Sequence, residues 1–296
     1  MTADPIPAFD EGIVRQAMLR GAVRTGLVAA LALTMLALLV GGASAVVGVV
    51  RGDHFFLVAY NGTVAAHPEY EVEQDGSCCA TGPLFGFTNL GLASEITLKV
   101  RPVGALNYAG TSTVTVEQDA FGDLSTTFDS ARTPLGDGLR RGRPTKESTA
   151  AFLASLPAAT VVSALIELDR PVTSAEFDEF FATTVPVEAV ADRGVPVIVV
   201  PPYASGSGNP IGWPSSDLLG LRAWADRLGG IDEQHLSAVG LPPASEVQRV
   251  AEEGRIHAFV LPRLPASLLA TLLANGSVVS ANVLDVAFDP DRQVVR

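Results

Sequence analysis

An uninterrupted uncharged run, Thr25–Val50 (TGLVAALALTMLALLVGGASAVVGVV), bracketed by Arg24 and Arg51, limits this chain more than any other feature. Crossing the hydrocarbon of a bilayer takes about 20 apolar residues at helical rise, and this run exceeds that. The expectation is a single transmembrane helix over residues 25–50 that splits the protein unequally. Ahead of it lie residues 1–24, a short stub with Arg15, Arg20 and Arg24 close to the run and Asp4, Asp10 and Glu11 further away. Basic residues are retained on the cytoplasmic side, so the stub is expected inside the cell membrane and everything after Arg51 outside. A cleaved signal peptide is the competing reading, with Leu27–Val40 as its apolar region and Ala43-Ser44-Ala45 as its cleavage site. The run continues through Val46, Val47, Val49 and Val50, as a full span requires. Small residues recur at four-residue spacing in Ala37, Gly41 and Ala45, the pattern that lets two helices approach closely.

The stub is charge-balanced, so the net charge of -12 belongs to the part after the run. That sign excludes the basic footprint that nucleic acid demands, and no direct nucleic-acid binding is expected. The two cysteines are the adjacent pair Cys78 and Cys79, whose Cα atoms stand closer than an ordinary disulfide span. A strained vicinal ring or an intermolecular bridge are both open to them. His54, His67, His235 and His257 fall at no ligand spacing, so neither a metal nor a cofactor is expected.

The pattern changes twice after the run. Residues 51–130 read as a β-rich domain: Phe55–Tyr60 (FFLVAY) as a strand entering an Asn61-Gly62 hairpin, Thr63–Val72 as its return, then Glu95–Arg101, Thr111–Glu117 and Leu124–Phe128. Residues 131–146 (ARTPLGDGLRRGRPTK) read as a linker. Residues 147–296 alternate helix and strand. A helix at 147–155 precedes a strand Val161–Asp169, and a helix capped by Thr173 with Glu176 in the capping-box position follows. Then come a strand Val195–Val200, a helix Ser216–Leu228, a helix Ala244–Glu253, a strand Arg255–Leu261, a helix Pro265–Ala274 and a strand Val278–Phe288. The expected fold class is a single transmembrane helix plus an extracytoplasmic α+β part, an antiparallel β domain followed by an α/β layered domain.

No nucleophile elbow, zinc-protease helix or P-loop is present, so no catalytic residue is assigned and no enzymatic activity is expected. Gly206-Ser207-Gly208 lacks the lysine of a phosphate loop. Glu167 with Asp169, and Glu176 with Glu179, can be drawn as carboxylate pairs, but they read equally as solvated surface acids. Tyr203, Trp213 and Trp224 are candidates to line a pocket or simply to pack. In the stub, Ile13, Ala17 and Arg20 share one helical face with Val14 and Met18 beside it. Ile13, Val14, Ala17 and Met18 are therefore the candidate partner-binding residues.

The order of basic stub, single span and large outer part resembles the sigma factor regulator family, the membrane-bound anti-sigma-like proteins of Gram-positive bacteria. The likeness is closest in LPAATVVSALIELDRPVTSAEFDEFF (Leu156–Phe181), similar to the family's "proline, small, threonine" turn, strand, "D-[KR]-P" turn and capped helix. Gly212-Trp213-Pro214 resembles its "G-[FW]-P", and Ile256–Leu261, the helix to Ala274 and Val278–Phe288 resemble its closing elements. The stub is shorter than a sigma-binding domain and has no H-x-x-x-C-x-x-C motif. The resemblance implies an outer sensory domain coupled across the lipid bilayer to a cytoplasmic sigma factor, to a second membrane protein, or to both. An anchored or secreted envelope-binding module and a divergent hydrolase are the alternatives.

Overall fold

The computed structural model describes residues 11–74, 94–107, 110–119, 123–128, 132–185, 195–201 and 209–289. Cys78, Cys79, Tyr203 and Gly206–Gly208 lie outside them. Helix α1 runs unbroken from Glu11 to Ala66, about 84 Å at helical rise. Its stretch Gly12–Ala43 is long and apolar enough to cross a membrane, and none of it is buried among the described residues. Leu31, Leu38 and Leu39 are 59%, 71% and 71% exposed.

The helix does not stop where the apolar run stops. Phe55–Tyr60 is helical rather than the expected strand, and Asn61-Gly62 is helical rather than a hairpin turn. Buried residues explain this. Phe55 and Ala59 join one core and Val58, Ala65 and Ala66 another, so a helix with two buried stripes is wedged between two layers. At Gly62 an added Cβ would lie 3.3 Å from Val239, with Leu241 and Trp224 next. Close packing, not a turn, is the reason for glycine there.

The first layer is a four-stranded antiparallel sheet in the order β1-β2-β3-β4. Its strands are β1 (Tyr70–Gln74), β2 (Ser94–Pro102), β3 (Ser112–Gln118) and β4 (Leu124–Thr126). The expected return strand Thr63–Val72 is thus replaced by the end of α1 and a short β1. Alternation places Ile96, Leu98, Val100, Val114 and Val116 on one face, where they close over Phe55 and Ala59.

The second layer is five-stranded, in the order β7-β6-β8-β5-β9. Its strands are β5 (Thr160–Val172), β6 (Val197–Val200), β7 (Ile211–Trp213), β8 (Ile256–Pro265) and β9 (Val278–Phe288). Every neighbouring pair is antiparallel, so the interleaved helices are not parallel crossovers. The near-continuous apolar reading of β5 and β6 has another cause. Val162, Ala164, Ile166, Val197 and Val199 enter the main core, while Leu165 and Ile198 face a smaller core on the opposite side.

The main core is closed by α3 (Lys146–Ala154), α4 (Ser174–Thr184), α5 (Leu219–Ala225), α6 (Glu233–Ala238), α7 (Ala244–Glu253) and α8 (Ala266–Ala274). The capping box of α4 is present: Thr173 Oγ1 accepts from the Glu176 amide, and Glu176 accepts from the Thr173 amide at 2.8 Å. The smaller core is closed by α2 (Pro134–Arg140) inside the stretch expected as a linker, with Leu135 fully buried. Gly104 turns the chain there at φ +79°, so close that an added Cβ would meet Ser163 Oγ at 2.6 Å.

His257, at the start of β8, carries a pH consequence. Burial lowers its pKa below the ordinary histidine range, the Arg143 guanidinium adds to this, and Glu253 opposes it. The unfolded chain takes up this proton first as pH falls, so stability is retained above the ordinary histidine range and lost through it toward acid. Thermal unfolding followed between about pH 7 and about pH 5 should fall less steeply for His257→Gln than for the wild type.

Candidate functional site

The two layers and α1 meet at a buried carboxylate. Asp232 ends a 3-10 turn, Gly230–Asp232, that leads into α6, and it is fully buried. Its Oδ1 lies 2.7 Å from His54 Nε2, which α1 supplies two turns before Gly62. Its Oδ2 accepts from the Gly229 amide at 2.8 Å. His235, one turn along α6, places Nδ1 3.8 Å from the same Oδ1. On the far side of that ring, Gln118 Nε2 of β3 lies 2.7 Å from His235 Nε2. In that contact the amide nitrogen donates and the ring nitrogen accepts. Gln234 donates to Asp123 between β3 and β4, a second tie of the same kind.

Each group is held by a different element: His54 by α1, Gln118 by the first sheet, Asp232 by the turn before α6, and His235 by α6 itself. A carboxylate with no compensating partners is costly to bury, and here an imidazole and a backbone amide meet it. Asp232 ties α1 to this turn, and His235 carries the tie on to the first sheet through Gln118. Gln118 is the reason that the first sheet belongs to the junction, since it is 4% exposed although polar.

The residues singled out from sequence lie elsewhere. Ile13, Val14, Ala17 and Met18 occupy the first turns of α1, all exposed, with Ile13 and Met18 at 67% and 71%. Glu167 is not a solvated acid: it is 7% exposed and ion-paired with Arg143, whereas Asp169 is exposed. Glu176 caps α4 and pairs with Arg170 at 3.1 Å, while Glu179 is exposed and takes no part. Trp213 and Trp224 stack with centroids 6.2 Å apart in the main core. A groove of about 450 Å³ lies between α3 and β9, lined by Ser148, Thr149, Phe152, Asn282 and Asp285 among others. Its polar groups are committed to the fold: Thr149 donates to the Ala281 carbonyl, and Asp285 accepts from the Leu106 and Val286 amides. Among the described residues no group of three His, Cys, Asp or Glu side chains is placed to hold a metal.

The junction escaped the sequence reading because His54 and Asp232 are 178 positions apart. A signal was nevertheless present. Gly52, Phe55, Ala59, Gly62 and Ala66 recur at three- and four-residue steps, a helical stripe continuing past the apolar run. No family model matches the chain, and no curated protein or solved structure was found to be similar to it.

Proposed function

We propose that this is a membrane-anchored regulatory or sensing protein, in which α1 crosses the bilayer and reports the state of the outer layers to a partner at the cytoplasmic stub. The observation that carries this reading is the continuity of α1. One helix includes the exposed apolar stretch, the stub residues from Glu11 onward, and the turns locked between both cores. A large uncovered apolar surface calls for lipid or a partner, and the arginines of the stub favour its retention inside. A helix unbroken from the stub to Ala66 supports mechanical coupling, because a shift of either layer at Asp232 moves the helix as a rod. The partner class, a cytoplasmic sigma factor acting alone or beside a second membrane protein, comes from the resemblance at Leu156–Phe181 and Gly212-Trp213-Pro214.

The test is a comparison of transcript profiles in the native host among wild type, a deletion of the whole chain, and Ile13→Asp at matched membrane levels. Replacing a docked isoleucine by a carboxylate should weaken a helix-in-groove contact by about tenfold, or ~1.5 kcal/mol. The profile of Ile13→Asp should then shift toward that of the deletion. A wild-type profile for Ile13→Asp beside an altered one for the deletion would favour an envelope-binding module instead.

A further inference from the structure

We propose that the turn Gly229–Ile231 is a second membrane contact, with the Ile231 side chain entering the headgroup layer of the outer leaflet beside the exit point of α1. This rests on the reading of α1 as a membrane span. Three observations fix the level of the turn. Val46 and Val50 are each 65% exposed, whereas Phe55 is 1% exposed, so the lower boundary of the folded body along α1 lies between residues 50 and 55. His54 stands in that interval, and its 2.7 Å contact with Asp232 pins the turn to the same level. Where the hydrocarbon ends with the uncharged run at Val50, His54 stands four residues beyond it, about 6 Å at helical rise, a distance within the thickness of a headgroup layer.

Ile231 is 80% exposed, the most exposed large apolar side chain among the described residues. An isolated exposed isoleucine on a water-facing surface is ordinary. On the membrane-facing side, next to an apolar helix, the same side chain extends an existing lipid contact. Gly229 and Gly230 precede it, and a Cβ at Gly230 would meet nothing within 4 Å, so the protein leaves the tip of the turn uncovered. Asp232 turns inward to His54 and the Gly229 amide, so the exposed acids beside this tip are Glu233 and Asp53. The contact would fix the tilt of the body on the membrane and give the turn that holds Asp232 a direct sense of the lipid surface.

Depth-dependent quenching tests this with the full chain in phosphatidylcholine–phosphatidylglycerol vesicles. In a background of Cys78→Ser and Cys79→Ser, a fluorophore is placed singly at Ile231→Cys, at Leu36→Cys within the span, or at Thr113→Cys. Thr113 lies on β3 five residues from Gln118, about 17 Å along the strand. A lipid carrying its nitroxide near the headgroup should quench position 231 at least roughly twofold more than position 113, and a deep nitroxide should quench position 36 most. Quenching at 36 with position 231 no more quenched than 113 overturns the second contact and leaves the span intact. Absence of quenching at 36 overturns the span itself, and the present proposal with it.

Discussion

Phe259→Ala should lower the stability of the protein by about 4 kcal/mol, the middle of the range for emptying an aromatic site in a close-packed core. Phe259 is fully buried on β8 and holds Phe177 edge-on at 5.1 Å, with Phe180 and Phe181 at 6.0 and 6.2 Å. Those three rings come from one helix, α4, so the truncation frees the helix from the sheet as well as leaving a cavity. For a folded part of this size the midpoint of thermal unfolding should fall on the order of 10 °C. The stacked pair Trp213 and Trp224 reports it by fluorescence in detergent, and Phe259→Leu, which keeps most of the volume, should lose less than half as much.

Asp232→Ala should cost about 3 kcal/mol, because it strands the Gly229 amide and removes the partner of two imidazoles in one step. His54 is partly open to water, so its share is the smaller one and His54→Ala should cost clearly less. Asp232→Asn keeps an acceptor for Gly229 and should fall between them. The distinctive expectation is coupling: in a double-mutant cycle, His54→Ala should cost less in the Asp232→Ala background than in the wild type. Additive losses would mean that α1 and the turn are held together by their apolar contacts alone.

How much of this was legible from the sequence differs by element, and the reasons are physical. The capped helix after Thr173, the helix Ala244–Glu253 and the strand Val278–Phe288 were readable because caps, period and stop signals agreed locally. Phe55–Tyr60 misled for the opposite reason. Its aromatic and β-branched residues and the following Asn61-Gly62 carry a strong local hairpin signal, and only burial against two layers selects the helix. The stretch 131–146 looked like a linker by composition, yet Leu135, with Leu139 beside it, anchors α2 over the smaller core. At the junction the limit was distance along the chain. His54, Gln118, Asp232 and His235 have no common spacing, and tertiary structure alone brings them together.

The continuity of α1 from the apolar run into the folded body is most directly measured as a distance. Spin labels at Thr25→Cys and Asp53→Cys, both exposed positions, in the protein lacking Cys78 and Cys79 and held in lipid nanodiscs, report the intervening helix by pulsed electron resonance. One rigid helix predicts a single narrow distribution centred near 42 Å at 1.5 Å per residue. A broad or markedly shorter distribution would place a break between Thr25 and Asp53, and would contradict the rod that joins the stub to Asp232.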